Sequence, residues 1–249
     1  MPTTIVFYDI PSKLSINAWS PNTWKVRYAL NYKGIPYRTE WVEYPDIEGL
    51  YKTFGIPASA TKKDRVTPYY TLPLLRDLST GAIISESAAI VEYLEATYPN
   101  TPRLIPPGTR ALHAAFIAAF ESQMRAISPF TIPSVNAILS PRSEAFFRKT
   151  REESSGVTIE DMILHGEHRT SQLVLVKDAL GKVDKWMTKE QTFVMGETPT
   201  FADFTVSAWI FYLRICLGED SHEWKELSTW HNGRWGKLVK SFEKYDAVL

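Results

Sequence analysis

Apolar and polar positions follow one pattern in the first part of the chain and another in the rest. Up to about residue 98, short β-branched and aromatic runs alternate with stretches of helical period. The predicted strands cover residues 4–8, 37–42, 71–75 and 82–84, and the predicted helices cover 24–33 and 85–98. With a loose Gly-, Pro- and Lys-containing segment at 49–68, this order predicts a thioredoxin-like α/β domain.

The remainder of the chain has helical periodicity throughout. The predicted helices cover residues 111–127, 159–186, 201–217 and 230–245. Pro129, Pro133 and Pro141 are expected to separate the first helix from the next, and the polar stretch 142–156 to form a mobile connection. Because the segment 99–107 is rich in proline, it predicts a linker. We therefore expect a thioredoxin-like domain at 1–99 and an all-α domain at 108–249.

The charge balance restricts the possible partners. The 28 Lys and Arg residues equal the 28 Asp and Glu residues, which gives no electrostatic reason to expect nucleic acid or an anionic membrane surface. No apolar run reaches the roughly 18 residues of a membrane-spanning helix. The only cysteine is Cys216, and the N-terminal residues lack a charged segment followed by an apolar one. These features predict a cytoplasmic protein.

Several common enzyme motifs are missing from the sequence. There is no Gly-x-Gly pair for a dinucleotide or a phosphate loop, and no Gly-x-Ser-x-Gly turn. His165 and His168 are three residues apart and do not match the His-Glu-x-x-His pattern of zinc hydrolases, so a solvated helix face explains them better. We expect no metal.

Three features near helix and strand boundaries have two interpretations each. Pro73 follows Leu72 in an apolar strand, where it is an ordinary edge proline or a cis peptide that exposes backbone groups to a peptide ligand. Glu86 and Ser87 begin a helix, where they cap it or bind the ammonium and carboxylate of an amino acid.

The third feature is the group of hydroxyl and amide side chains before the first helix. Ser20, Asn22 and Thr23 either cap that helix or stabilise an anion such as a thiolate at its positive end. Lowering a thiol pKa by about 2 units requires about 2.7 kcal/mol, which a helix end with one or two hydrogen bonds can supply.

Together these features resemble the cytosolic glutathione transferases over the whole chain. Thr200-Phe-Ala-Asp203 is similar to the helix capping box of the family's second domain. The stretch 20–34, Ser-Pro-Asn-Thr-Trp-Lys-Val-Arg-Tyr-Ala-Leu-Asn-Tyr-Lys-Gly, resembles the fungal etherase-like FuA class, whose bacterial relatives cleave β-aryl ethers of lignin. The resemblance implies glutathione as co-substrate and a homodimer.

The resemblance also implies roles for individual residues. Ser20 would activate the thiol of glutathione, with Asn22 or Thr23 able to share or replace its role. Leu72 before a cis Pro73 would pair with the cysteinyl backbone, and the γ-glutamyl group would be held by two neighbouring residues, Glu86 and Ser87.

Other roles stay open at the level of sequence. Lys62, Lys63 and Arg65 compete to bind the glycyl carboxylate, and Lys62 is our choice among them. Cys216 lies far in sequence from the thiol site, which disfavours a disulfide-exchanging mechanism. The candidates for contact with a hydrophobic substrate are Trp19, Phe116, Phe120, Met124, Ile127 and Tyr212, although most residues at helical spacing belong to a core.

The sequence therefore predicts a serine-type glutathione transferase acting on hydrophobic or aromatic electrophiles. The reaction is conjugation, β-aryl ether cleavage or peroxide reduction. The alternative is a non-catalytic ligandin that sequesters phenolic compounds, an interpretation based on the aromatic content of 13%.

Overall fold

A four-stranded mixed sheet organises the first part of the chain in the computed structural model, which describes residues 4–62 and 64–249. Its strands are β1 (Ile5–Asp9), β2 (Tyr37–Trp41), β5 (Leu74–Asp77) and β6 (Ile83–Ser85). The order is β2-β1-β5-β6, with β1 parallel to β2 and antiparallel to β5, and β6 antiparallel to β5. This topology confirms the predicted thioredoxin-like fold.

Three helices accompany the sheet: α1 (Pro21–Lys33), α2 (Ile47–Phe54) and α3 (Ser87–Thr97). The core contains apolar side chains of β1, β2 and β5 and of α1 and α3, together with Ile35 of the α1–β2 turn. These buried residues are Ile5, Phe7, Val26, Leu30, Ile35, Tyr37, Leu75, Ile90 and Leu94. Burial of this apolar surface is the main favourable contribution to folding of the sheet region.

The start of α1 differs from the sequence prediction. The N-cap is Ser20 and Pro21 is the first helical residue, whereas Asn22 and Thr23 were expected to be the caps. Proline is favoured at the first helical position because its fixed φ suits a helix and its missing N–H would have had no partner there. The helix ends as predicted at Gly34, whose positive φ of 65° is available to glycine at little cost.

A fully buried ion pair joins α1 to β1. Arg27 donates to the Asp9 carboxylate at 2.7 Å, and neither side chain is exposed. The same guanidinium donates to the hydroxyls of Tyr37 and Thr39, both at 3.1 Å. Since loss of one partner would leave an unpaired buried charge, this cluster fixes the helix against the sheet.

The segment 49–68 was wrongly predicted to be loose. It contains the end of α2 and a two-stranded hairpin of β3 (Ala60–Thr61) and β4 (Pro68–Tyr69). Ile47, Tyr51 and Phe54 follow a helical period, and burial of Ile47 and Tyr51 stabilises α2 despite Gly49 in its interior.

The chain divides into two compact units. The first comprises Met1–Arg103, Leu139–Phe146 and Tyr245–Leu249, and the second comprises Leu104–Ile138 and Phe147–Lys244. Within the first unit, the backbone N–H of Thr39 donates to the Leu249 carbonyl at 2.8 Å. The C-terminal residues therefore hydrogen-bond to the outer strand of the sheet.

The second unit is helical. One of its helices begins in the segment Leu139–Phe146, which belongs to the first unit. The helices are α4 (Arg110–Met124), α5 (Ser128–Ile138), α6 (Pro141–Ser155), α7 (Gly166–Asp184), α8 (Phe201–Leu217) and α9 (His222–Phe242). A short 3₁₀ turn lies at Tyr44–Asp46 in the first unit, and others lie at Arg125–Ile127, Glu160–Met162 and Glu243–Tyr245. This unit confirms the predicted helical second domain of the fold. Among the described residues, no helix is both long and apolar enough to cross a membrane.

Pro129 and Pro141 lie at helix starts, in agreement with the predicted separation of helices, whereas the predictions for Pro133 and for the stretch 142–156 were wrong. Pro133 lies inside α5, and Pro141 begins α6, which covers most of the stretch 142–156 that was expected to be mobile. Proline is tolerated at the start of a helix, and the buried Phe130 and Val135 stabilise α5 around its internal proline. Non-helical backbone from Trp230 to Gly233 divides α9 into two helical segments. The helix predicted at 230–245 corresponds to the second segment, which begins after Gly233.

The predicted capping box begins α8. The backbone N–H and the hydroxyl of Thr200 both donate to the Asp203 carboxylate at 2.9 Å. The backbone N–H of Val194 donates to the same carboxylate at 2.6 Å. Burial raises the pKa of Asp203 to about 6, an effect that these hydrogen bonds oppose.

Candidate functional site

The register of the sheet brings the predicted site residues of the first unit to one edge. Leu74 at the start of β5 pairs with Tyr8 near the end of β1 and with Ser85 at the end of β6. Glu86 follows Ser85, and Pro73 precedes Leu74, so these two residues extend from neighbouring strands. The chain leaves the same edge from Asp9 towards Ser20. Pro73, Glu86 and the segment after Asp9, although distant in sequence, therefore meet at the same edge of the sheet.

Ser20 lies at the end of the segment that connects β1 to α1, directly before the first helical residue. Its side chain makes no capping hydrogen bond, and no other partner of its hydroxyl is present within residues 4–62 and 64–249. The residue is 6% exposed. Because Pro21 has no N–H, the first free helical N–H groups belong to Asn22 and Thr23, and they add a positive dipole end beside the serine.

Asn22 and Thr23 are engaged within the protein. The buried Thr23 hydroxyl donates to the backbone carbonyl of Ser20 at 3.0 Å. Asn22 is exposed, and its side-chain oxygen accepts from the Lys25 ammonium at 2.9 Å. Of the three polar side chains, the Ser20 hydroxyl is the one with no partner in the described part of the chain.

The Leu72–Pro73 peptide bond is cis, as the sequence interpretation required. The structure contains no hydrogen bond from the N–H or to the carbonyl of Leu72 among the described residues. A backbone donor and acceptor at the start of a strand are suited to pairing with an extended peptide.

Tyr51 is a residue that sequence reasoning missed. Its hydroxyl donates to the Thr71 carbonyl at 2.6 Å, one residue before Leu72. The side chain is fully buried, and burial raises the pKa of its hydroxyl. Its helical spacing from Ile47 and Phe54 was the available signal, although spacing alone does not reveal the acceptor. Tyr51 therefore fixes the chain that leads into the cis peptide.

Glu86 and Ser87 lie at the start of α3. Glu86 is its N-cap, is exposed and makes no side-chain capping bond, and Ser87 is the first helical residue. The backbone of Glu86 has φ 73° and ψ 127°, a conformation that costs a residue with a Cβ about 1–3 kcal/mol. The carboxylate is thus adjacent to free helical N–H groups, a combination that can bind an ammonium and a carboxylate together.

Two of the basic candidates, Lys62 and Arg65, lie in the β3–β4 hairpin. Lys62 is exposed, and its backbone N–H donates to the Thr67 carbonyl at 2.8 Å. Arg65 is exposed with a positive φ of 59°. Lys63 lies outside the described residues. Exposed lysine and arginine side chains on a turn can reach an anion.

The candidates for the hydrophobic substrate are mostly buried. Phe120, Met124, Ile127 and Tyr212 lie in the helical unit and are 0%, 2%, 1% and 8% exposed. Phe116 stacks on Phe120 with a ring-centroid distance of 6.3 Å. Trp19 lies in the first unit and is 3% exposed. The helical residues form core contacts, and a substrate would require their side chains to move.

The single cysteine, Cys216, lies in α8. Burial raises the pKa of the Cys216 thiol, so its reactive thiolate form is disfavoured. Within the described residues, no group of three or more His, Cys, Asp and Glu side chains is arranged to hold a metal ion.

Two family matches cover both parts of the chain. Residues 19–97 match the glutathione S-transferase N-terminal domain, and residues 111–245 match the glutathione S-transferase C-terminal domain. The chain belongs to the glutathione S-transferase family.

Similar proteins come from fungi. A glutathione S-transferase of Ceriporiopsis subvermispora, solved in complex with glutathione, is 47% identical over 99% of both chains, with a TM-score of 0.94. Glutathione transferase GSTFuA3 of Phanerochaete chrysosporium is 39% identical over 98% of both chains, with a TM-score of 0.91. The glutathione S-transferase-like protein ustS of Aspergillus flavus is 30% identical over 93% of this chain and 87% of its own. The resemblance to the FuA class is thereby confirmed.

Proposed function

We propose that this protein is a serine-type glutathione transferase in which the Ser20 hydroxyl donates a hydrogen bond to the thiolate of glutathione. The observation that supports this role is that the Ser20 hydroxyl, at the start of α1, has no hydrogen-bond partner among the described residues. The glutathione-bound Ceriporiopsis structure supports the choice of ligand. A thiolate at a helix N-terminus is stabilised by the dipole and by the hydroxyl donor.

The remaining contacts of the tripeptide follow from its chemistry. The N–H and carbonyl of Leu72 pair with the cysteinyl backbone beside Pro73. Glu86 binds the γ-glutamyl ammonium, and the Ser87 hydroxyl with the first N–H groups of α3 binds the adjacent carboxylate. Lys62 binds the glycyl carboxylate. Binding at both ends fixes the sulfur close to Ser20.

The reaction is nucleophilic attack by that sulfur on a hydrophobic or aromatic electrophile. The thiol proton goes to solvent, a carbon–sulfur bond forms, and the leaving group departs with its electron pair. When the leaving group is a phenolate, the reaction is β-aryl ether cleavage. In the third variant, peroxide reduction, the sulfur attacks a peroxide oxygen, the O–O bond breaks and an alcohol leaves; a second glutathione then reacts with the resulting sulfenic acid to give glutathione disulfide and water. Trp19, Phe120, Met124, Ile127 and Tyr212 are the proposed apolar contacts.

Calorimetric titration with glutathione tests the proposal first. We expect saturable binding. N-acetylated glutathione, which lacks the ammonium, should bind about tenfold more weakly. Turnover with a thiol-reactive aryl halide then separates an enzyme from a binding protein. No heat at millimolar glutathione would contradict the proposal.

A second candidate function is a ligandin for phenolic compounds. It is supported by the aromatic content of 13% and by the Phe146 side chain, which is 40% exposed. Tryptophan fluorescence titrated with phenolic ligands, with and without glutathione, distinguishes this function. Micromolar binding without turnover would favour the ligandin, and turnover would favour the transferase.

We also propose a cytoplasmic homodimer, on the basis of family resemblance. Light scattering behind a sizing column should give twice the 28.4 kDa chain mass. A fluorescent fusion should be distributed through the cytoplasm. A monomer mass or a membrane-bound fusion would contradict the respective proposal.

A further inference from the structure

We propose that Tyr44 and Phe146 form an aryl platform that binds the aromatic group of the electrophile. This inference depends on the proposed function, because it gives a specificity site to that reaction. Both residues belong to the first unit, and neither was among the candidates taken from the sequence.

The platform is part of a row of three aromatic rings that begins beside Ser20. The rings of Trp19 and Tyr44 have centroids 6.4 Å apart, and those of Tyr44 and Phe146 have centroids 6.2 Å apart. The second pair is almost parallel, with planes 13° apart. Offset parallel rings in this distance range attract each other. Trp19 precedes Ser20 in sequence, so the row extends outward from the proposed thiolate site.

Exposure increases along the row. Trp19 is 3% exposed, Tyr44 is half-buried and Phe146 is 40% exposed. A single exposed phenylalanine is common on protein surfaces and is not in itself a binding site. Here, however, the ring lies against a stacked partner, which leaves part of an oriented aromatic surface open.

Polar contacts hold both ends of the platform in place. The Tyr44 backbone N–H donates to the Ser143 hydroxyl oxygen at 2.9 Å, and Ser143 is fully buried. The Ser143 hydroxyl donates to the Glu43 carboxylate, and the Ser140 hydroxyl donates to it at 2.5 Å. These bonds join the loop after β2 to the start of α6, which contains Phe146.

A second contact lies beside them and is charged. Arg142 donates from two nitrogens to the two carboxylate oxygens of Asp46, each at 2.8 Å. The charges of this pair compensate each other, and the Glu43 carboxylate already accepts two hydroxyls. A rigid aromatic surface suits an uncharged aryl ring, and preorganised rings lose little entropy on binding.

Two S-substituted glutathiones test the platform without turnover. S-methylglutathione and S-benzylglutathione share the tripeptide and differ in the aryl group, so the ratio of their dissociation constants isolates the aryl contact. By calorimetry, we expect wild type to prefer the benzyl compound. Phe146→Ala should reduce that preference about three- to tenfold and leave S-methylglutathione affinity unchanged, because a stacked ring contributes about that factor.

Matched variants distinguish a local contact from general damage. Phe146→Tyr retains a ring and should keep the preference. Trp186→Ala removes a similarly exposed aromatic side chain, 45% exposed, from the helical unit and should also keep it. Thermal melting checks that each variant is folded.

Each outcome decides the question. An unchanged preference in Phe146→Ala would overturn the platform alone, as would equal weakening of both compounds, which indicates a structural role. Failure of wild type to bind either compound would overturn the proposed function and the platform together. Loss of preference in Phe146→Ala and its retention in Phe146→Tyr would support the platform.

Discussion

The helix starts at the proposed site, those of α1 and α3, differ from two helix starts in the helical unit, those of α8 and α9. At α8, Asp203 accepts hydrogen bonds from Thr200, and at α9 the Ser221 hydroxyl accepts from the Trp224 N–H at 3.0 Å. At α1 and α3 the corresponding side chains, those of Ser20 and Glu86, make no capping bond. Polar side chains at helix starts therefore stabilise the fold at α8 and α9 and stay available at α1 and α3.

Capping typically contributes 0.5–2 kcal/mol, so an uncapped helix start loses some stability. At α3, the positive φ of Glu86 adds a further cost. Such costs are expected where a ligand supplies the missing contacts. The comparison predicts that substitutions at α1 and α3 reduce activity with little change in stability, and that substitutions at α8 and α9 do the reverse.

The largest expected effect is that of Ser20→Ala. Removing a donor to a reacting anion typically lowers the rate about 100- to 1,000-fold, and we expect a loss in this range in kcat/KM. The free energy of unfolding should change by less than about 0.5 kcal/mol, because the hydroxyl has no partner in the described residues. Steady-state kinetics and urea denaturation measure the two quantities.

Asn22→Ala is the control for this variant. The Asn22 side chain is exposed and hydrogen-bonded to Lys25, so its removal should change kcat/KM less than about threefold. If Asn22→Ala lost as much activity as Ser20→Ala, the assignment of Ser20 would be wrong.

Asp203→Ala should have the largest effect on stability. It removes a buried acceptor from Val194 and Thr200, which leaves donors without partners. We expect the free energy of unfolding to fall by roughly 3–4 kcal/mol. Activity per folded molecule should stay the same, as measured on samples corrected for the folded fraction. A loss of specific activity with unchanged stability would reverse the comparison.

The same carboxyl predicts a pH dependence. Its pKa of about 6 in the folded chain lies above the ordinary value of 3.8, so the folded state holds the proton more tightly than the unfolded state. The contribution of this protonation to the free energy of unfolding is therefore complete below about pH 4 and is lost as the pH rises through 6. The loss is at most about 3 kcal/mol. Denaturation curves should show that the free energy of unfolding of wild type falls relative to that of Asp203→Asn as the pH rises from about 4 through 6. An unchanged difference between the two proteins would contradict the pKa shift.

Glu86→Gln should weaken glutathione binding about tenfold. The substitution removes the negative charge that pairs with the ammonium and retains the size of the side chain. Since Glu86 makes no capping bond, stability should change by less than about 0.5 kcal/mol. Calorimetry with glutathione and N-acetylated glutathione checks the assignment, because the variant should no longer discriminate between them.

Ser221→Ala should give the smallest effect. Loss of its bond to the Trp224 N–H should cost about 1 kcal/mol of stability. Kinetic constants should be unaltered. A change in kcat/KM greater than about threefold would show that this helix start is not purely structural.

Local patterns predicted the sheet, most helices and the capping box at Thr200, because period, proline and glycine signals are short-range. They did not predict α5 around Pro133, where packing of the helix outweighs the loss of a hydrogen bond. The contact of Tyr51 with Thr71 and the stack of Tyr44 on Phe146 join residues far apart in sequence. Such contacts depend on the tertiary fold and leave no local signature.

The most direct test of the account is the thiol pKa of bound glutathione, measured by ultraviolet absorbance of the thiolate as the pH is raised. In wild type we expect a pKa about 2 units below that of free glutathione. In Ser20→Ala we expect a higher value, because the helix end remains and the hydrogen bond from the hydroxyl is lost. Equal pKa values in the two proteins would contradict the role of Ser20.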